Sequence, residues 1–436
     1  MAEHFVVEWL LKYIKDKIDF RQYGGMKGNS TTHYIIEFIN FILLNQDSKA
    51  QTAILACMVD YSKAFNRQNH NILITKLSDM GVPAWLLKVV MAFLSNRKMK
   101  VRYKGKLSST KDLPGGGPQG TLLGLLLFLV LINDAGFQGQ LNNAGELLTS
   151  RRNLKKANEI HLKYVDDLTL AEAVNLPEKL VPVNTNERPL PDTFHARTGH
   201  SLPAEKSAVQ QQLIKINQHA IENEMQINLD KSKVILFNPC NSIDFMPKIE
   251  LNGSELDLVE KIKLLGIVIR SDLKWSDNTD NMIKRAYKKL WILRRLKALG
   301  AGPEELVDLY VKQIRCLLEL AAPAWNGSLT RSEIVDIERV QKCALRIIFG
   351  VHYEDYNNAL EMSNLESLEN RRQILCLKFA KKASKDSKFQ FWFRQKPKLN
   401  TRQAQYEYCQ PIARTERLQK GPISYLTRLL NKDKKK

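Results

Sequence analysis

Tyr164-Val165-Asp166-Asp167 sets two adjacent carboxylates inside an apolar run, between Ile160-His161-Leu162-Lys163 and Leu168-Thr169-Leu170-Ala171. Strand-like residues on both sides of an acidic pair predict a β-hairpin with the carboxylates at its turn. Neighbouring carboxylates at a buried edge repel each other unless a cation lies between them, so the pair reads first as a Mg²⁺ site, with a solvated acidic turn as the alternative. A third carboxylate, Asp60, ends the compact apolar strand predicted over Thr52–Val59. A strand-end aspartate can also serve as a helix N-cap. Joined to Asp166 and Asp167, it completes the three-carboxylate set of two-metal phosphoryl transfer, with metals roughly 3.5–4 Å apart.

The remaining pattern bounds the class of protein. The chain has 436 residues, 44% of them hydrophobic, enough for two or three domains with a sizeable core. The longest apolar run, Leu122 to Ile132, is too short for a membrane span and predicts a buried helix. Met1-Ala2-Glu3-His4 leads directly into amphipathic sequence, which predicts no secretory leader. Cys57, Cys240, Cys316, Cys343, Cys376 and Cys409 form no Cys-x-x-Cys pair, as expected of reduced thiols in an intracellular protein, nuclear or cytoplasmic. Net charge is +20, and residues 371–436 hold 19 Lys+Arg against 4 Asp+Glu. A basic tail on a near-neutral body predicts a polyanionic partner, nucleic acid before an anionic membrane.

Hydrophobic periodicity predicts a helix over 3–18 with Phe5, Val6, Trp9, Leu10, Tyr13, Ile14 and Ile18 on one face, and another from Ser30-Thr31-Thr32 to about Leu44. Helices are expected near 70–79, 83–95 and 205–224, a hairpin around Lys104-Gly105, and strands at about 226–238 and 257–269. Gly115-Gly116-Gly117-Pro118-Gln119-Gly120 is a loop, and the proline-rich stretch 176–207 reads as a surface insertion. Beyond Trp275 the pattern is all-helical.

In this order the motifs resemble those of the reverse transcriptases of non-LTR (LINE-type) retrotransposons, from about residue 3 to about 350. Arg21-Gln22-Tyr23-Gly24-Gly25 through Gly28-Asn29-Ser30-Thr31-Thr32-His33 is similar to Q-x-G-F-x-x-G-x-S-T-x-x. Asp60-Tyr61-Ser62-Lys63-Ala64-Phe65-Asn66 resembles D-x-S-K-A-F-D, with Asn66 where the family has Asp. Gly116-Gly117-Pro118-Gln119-Gly120-Thr121-Leu122-Leu123-Gly124, followed by Ile132-Asn133-Asp134, resembles G-x-P-Q-G-S-x-L-G-P…I-N-D, with Gly117 where Val is common. Tyr164 to Asp167 is the Y-x-D-D box. Leu229-Asp230-Lys231-Ser232-Lys233 resembles N-x-x-K-T, and Leu265-Gly266-Ile267 the L-G-V primer-grip strand.

The resemblance implies an α+β fold: a polymerase palm and fingers, an antiparallel sheet with packed helices, followed by an all-helical thumb and C-terminal region. The implied domains are fingers and palm over 1–270, thumb over 271–326 and a basic helical region over 327–436. It implies an RNA-directed DNA polymerase using two Mg²⁺ ions, with RNA template, DNA primer or duplex and dNTP as partners and no membrane role. Asp60, Asp166 and Asp167 would be the metal carboxylates, with the Tyr61 carbonyl as a further ligand. Asp166 would be the direct ligand of the pair, because neighbours on a strand point to opposite faces. Phe65 would gate against a ribose 2′-OH, Gln119 and Gly120 would line the nucleotide pocket, Lys231 would donate a proton to pyrophosphate, and Leu265 and Gly266 would grip the primer.

Lys284, Arg285, Lys288, Lys289, Arg294, Arg295 and Lys297 would contact the backbone of a template–primer duplex. Phe389, Phe391, Trp392, Phe393 and Tyr406 would add base stacking, or else pack against the last helices. The family's usual R-P-I-S segment lies upstream of residue 3, and no endonuclease, zinc-knuckle or RNase H pattern is present. The expectation is a mobile-element fragment with an intact catalytic triad and a defective triphosphate grip. The alternative is an inactive nucleic-acid-binding remnant.

Overall fold

The computed structural model describes residues 2–47, 52–113, 115–136, 158–175, 207–239, 248–395 and 407–433. The proline-rich insertion, apart from Ser207, lies outside them, as do Tyr406 and Cys240. The chain forms two compact units: residues 1–30, 53–236 and 240–259 in one, and 31–52, 237–239 and 260–436 in the other. These bounds differ from the three consecutive domains expected, because the helix Thr31–Gln46 groups with the C-terminal half.

The first unit is built on a four-stranded sheet whose spatial order is Glu159–Tyr164, Asp167–Asn175, Thr52–Val59, Lys233–Phe237. Every residue of Thr52–Val59 is buried, so this inner strand is apolar throughout instead of alternating. The helix Leu122–Leu131, apolar on all sides, joins Ala53, Leu55, Cys57 and Val59 in one hydrophobic core. Thr121 caps it by accepting the Gly124 N–H at 3.1 Å. The helix Ala2–Ile14 ends earlier than its periodicity predicts. Leu10 and Ile14 turn inward, whereas Phe5, Trp9 and Tyr13 are exposed, and Trp9 meets Trp85 edge to face at 5.5 Å.

The acidic hairpin forms as expected: Glu159–Tyr164 pairs antiparallel with Asp167–Asn175, Tyr164 opposite Asp167. A lysine stands on its buried face. Lys163 is 1% exposed, and its ammonium lies 2.9 Å from an Asp19 carboxylate oxygen and 2.8 Å from the Asn133 carbonyl. Burial alone would raise the Asp19 carboxyl, but the Lys163 ammonium and Arg21 guanidinium hold it well below the usual carboxylate range.

In the second unit the expected strand 257–269 is instead a hairpin, Lys261–Leu264 with Ile267–Arg270. Leu265 and Gly266, both at positive φ, make its two-residue turn. The 23-residue helix Ser276–Ala298 packs on Arg331–Phe349, and its Asn278 side chain accepts the Val268 N–H at 3.1 Å. The basic tail is not a loose appendage. Arg372, Cys376, Ala380, Leu426 and Leu430 are buried among the helices Leu368–Lys385 and Pro422–Asp433. Phe389, Trp392 and Phe393 are buried too, with Phe389 stacked on His33 at 4.0 Å and the Trp392 indole N–H donating to Glu37 at 2.8 Å. These three rings are core side chains and offer no face to bases.

Lys163→Met should destabilise the first unit by about 3–5 kcal/mol, because it leaves the Asp19 carboxylate buried without one of its two cations. The measurement is the urea midpoint at constant slope. A loss under about 1 kcal/mol would mean that Arg21 alone neutralises Asp19.

Candidate polymerase site

The Asp60 strand is continued by backbone bonds that fix the carboxylate's place. The Asp60 N–H donates to Ser232 Oγ at 3.2 Å, and its carbonyl accepts the Asn228 N–H at 2.8 Å. The Ser62 N–H donates to the Gln226 carbonyl at 2.7 Å, so Tyr61 pairs with Ile227 between those two bonds and its own carbonyl stays off the ladder. The segment 226–232 therefore clamps residues 60–62, and it carries Lys231 with it. The Lys231 ammonium lies 3.7 Å from Asp60 Oδ2. That oxygen is buried and accepts no hydrogen bond.

Asp166 and Asp167 stand within electrostatic reach of Asp60. Burial and the neighbouring Asp60 charge raise the Asp166 carboxyl, with Lys231 acting in the opposite sense. Burial, then Asp166 and Asp60, push Asp167 up to about 6. The charge of Asp60 therefore acts on both carboxyls of the acidic pair, and that of Asp166 on Asp167. Among the described residues, no three His, Cys, Asp or Glu side chains gather tightly enough to hold a metal ion by themselves. The expected ligand set is therefore an open cluster and not a closed cage. Magnesium is commonly held in this way, by one or two carboxylates completed by water and substrate phosphate. A buried carboxylate oxygen without a donor, beside two carboxylates that resist ionisation, fits a divalent cation.

The turn itself is strained. Val165 has φ +57°, a region a β-branched residue rarely enters. Two residues of the Arg21–Gly25 motif support it. Gln22 Oε1 accepts the Val165 N–H at 3.0 Å, and Gly24 passes so close that a Cβ there would lie 2.6 Å from the Val165 nitrogen. The glycine-rich loop is bonded to the segment after Asp60: the Gly117 N–H donates to the Phe65 carbonyl at 2.7 Å and the Gly116 N–H to the Gln68 carbonyl at 3.1 Å. Gly116, at φ +81°, would press a Cβ to 2.9 Å from the Asn66 carbonyl oxygen. A Cβ at Gly117 would come 2.3 Å from Gln68 Oε1, so the buried Gln68 amide fills the space a valine would need. Gln119 and Gly120 are exposed, and Gly120 faces open space. Phe65 is half-buried, its ring stacked on Phe128 at 4.7 Å.

Each unit has an exposed basic surface of its own. In the first, residues 97–113 fold into short antiparallel ribbons, Arg97–Met99 with Lys111–Leu113 and Arg102–Tyr103 with Lys106–Leu107. They carry seven Lys+Arg against Asp112, with Tyr103 71% exposed. In the second, Lys284, Lys288, Arg294 and Arg295 lie on one exposed helix face with Tyr287 and Trp291. Lys289 and Lys297 do not join them as expected. Lys289 donates to the Gln313 carbonyl at 3.0 Å, and Lys297 binds the Ile347 and Ile348 carbonyls at 2.8 and 2.9 Å, at the end of a neighbouring helix. No helix among the described residues is long and apolar enough to cross a membrane.

Asp167→Asn should raise the thermal midpoint at pH 7.5 without divalent metal by about 2–4 °C. Because the folded carboxyl sits at about 6, above its unfolded value, the ionised group costs stability above that pH and the cost disappears on protonation. The gain should therefore shrink towards zero near pH 4. A gain independent of pH would place its origin in packing.

The family model for reverse transcriptase (RNA-dependent DNA polymerase) matches residues 3–188. The chain is 24% identical over 359 residues to a probable RNA-directed DNA polymerase from transposon BS of Drosophila melanogaster, covering 80% of this chain and 35% of that protein. It is 23% identical over 338 residues to the RNA-directed DNA polymerase from mobile element jockey of Drosophila funebris, covering 76% and 32%. The chain thus spans about a third of the length of these relatives. Among solved structures, apo telomerase from Candida tropicalis gives a TM-score of 0.38 at 11% identity, covering 87% of this chain and 55% of that one, a likeness that carries no weight on fold or function. Residues 3–188 thus match the reverse transcriptase model, and the chain as a whole is similar to the RNA-directed DNA polymerases of mobile elements.

Proposed function

We propose that the domain is an RNA-directed DNA polymerase, transferring nucleotides from dNTP to a primer 3′-OH on an RNA template. The observation that carries this reading is the convergence of Asp60, Asp166 and Asp167, with Asp60 Oδ2 buried and without a hydrogen-bond donor. Asp60, the Tyr61 carbonyl, Asp166 and Asp167 would hold two Mg²⁺ ions, which when bound supply charge neutralisation at the phosphates and acidify the attacking hydroxyl.

The chain's own groups do the rest. The ammonium of Lys231, 3.7 Å from Asp60, has the reach and the protons to serve the pyrophosphate leaving group. Gln119 and Gly120 offer an open edge of backbone for the incoming nucleotide. Phe65, seated on Phe128, presents an apolar ring where a 2′-OH would find neither room nor a partner. The Leu265-Gly266 turn would grip the primer strand. The ribbons at 97–113 and the Trp291 face of the long helix would take the nucleic-acid backbone, by charge and by stacking.

Primer extension on an RNA template tests the reading. Mg²⁺-dependent extension that Asp166→Asn reduces by at least about a thousandfold is expected. Extension indifferent to that change would overturn the assignment. Phe65→Ala should raise kcat/KM for rNTP relative to dNTP, since a steric gate loses its discrimination when truncated. An unmoved ratio would make Phe65 a core residue only.

A further inference from the structure

Gln22 is 3% exposed and sits directly behind the acidic turn. Its side-chain oxygen accepts two backbone N–H groups, from Gly24 at 2.9 Å and Val165 at 3.0 Å. Two N–H donors at one terminal atom require that atom to be the oxygen, which fixes the orientation of the amide. The backbone beside it is anchored on the same strand: the Tyr23 N–H donates to the Lys163 carbonyl at 2.8 Å, and the Lys163 N–H to the Arg21 carbonyl at 3.1 Å. From the other side, Asn29 Nδ2 donates to the Gln22 carbonyl at 3.1 Å.

Val165 is the residue of the turn at positive φ, and it directly precedes Asp166. A two-residue hairpin turn with its first residue at positive φ favours glycine there. A valine holds that conformation only where its surroundings over-determine it, at a cost of about 1–3 kcal/mol. Tyr164 and Asp167 pair across the hairpin, so the peptide plane entering Val165 sets how Asp166 leaves the sheet. Among the described residues, the side chain that accepts that plane's N–H is Gln22.

We infer that Gln22 is a positioning residue for the acidic turn, holding the Val165 N–H so that Asp166 and Asp167 present their carboxylates towards Asp60. This rests on the reading of the three carboxylates as a divalent-metal site. Gln22 touches neither metal nor substrate. It acts through the backbone, as groups behind metal ligands do when they fix ligand direction.

The test is Mn²⁺ binding to the full chain, followed by electron paramagnetic resonance without nucleic acid or nucleotide. Gln22→Met keeps the side-chain length and removes the acceptor, whereas Gln22→Glu keeps an acceptor oxygen. Gln22→Met should weaken Mn²⁺ binding by about ten- to a hundredfold with an unchanged circular dichroism spectrum, and Gln22→Glu should stay within about threefold of the native chain. Equal binding by native and Gln22→Met, or equal losses in both variants, overturns the inference and leaves the metal-site reading standing. A native chain with no Mn²⁺ site sensitive to Asp60→Asn overturns that underlying reading instead. Should Gln22→Met fail to fold, amide hydrogen exchange of the native chain decides: protection of the Val165 N–H is expected, and exchange at the rate of an open turn overturns the assignment.

Discussion

The burial of two adjacent carboxylates, Asp166 and Asp167, beside the charge of Asp60 is the constraint on which the acidic end of the first unit depends. Burial, then the Asp166 and Asp60 charges, pushes Asp167 up to about 6, and burial with the Asp60 charge raises Asp166. Nothing in the local sequence favours such a cluster. It persists because its supports are strong and lie one layer back: an eight-residue strand buried along its whole length, a buried apolar helix, and the 226–232 segment bonded across Asp60. The fold thus carries an electrostatic cost that a divalent cation would relieve.

The same layer contains another buried charge. Lys163 lies one residue before the acidic turn on the inward face of the hairpin, and Asp19 answers it from the segment that continues into Gln22. One short stretch therefore serves two purposes. Asp19 and Arg21 settle the charge behind the hairpin, and Gln22 and Gly24 shape the turn in front of it. The Gly115–Gly120 loop is tied in turn to Phe65 and Gln68, so the strand carrying Asp60, the hairpin and the glycine loop share one backbone framework.

Charge in the second unit is distributed differently from what its sequence suggests. The basic C-terminal stretch contributes Arg372 and a run of small and apolar side chains to the helical interior, and its aromatic rings pack on His33 and Glu37. Lys289 and Lys297 close backbone carbonyls of neighbouring segments. One exposed face of the long helix sets Tyr287 and Trp291 among Lys284, Lys288, Arg294 and Arg295. A count of lysines and arginines along the chain cannot separate those that reach solvent from those that serve packing.

The sequence by itself determined the elements and the motif residues. Thr52–Val59 followed by Asp60, the hairpin around Val165-Asp166, the loop at Gly115–Gly120 and the buried helix after Thr121 all follow from local pattern, because apolar period, turn residues and acidic punctuation are local properties. Local pattern failed where partners are distant. The single strand expected at 257–269 folds back on itself at Leu265-Gly266, and Phe5, Trp9 and Tyr13 turn outward although their spacing matches a buried face. Only the tertiary structure decided that Lys163 is neutralised by Asp19, that Gln68 takes the space beside Gly117, that Phe65 rests on Phe128 and that Gln22 holds the acidic turn. Each of these is a contact between residues far apart in the chain, and one-dimensional spacing carries no record of which side chain will meet which once the sheet closes.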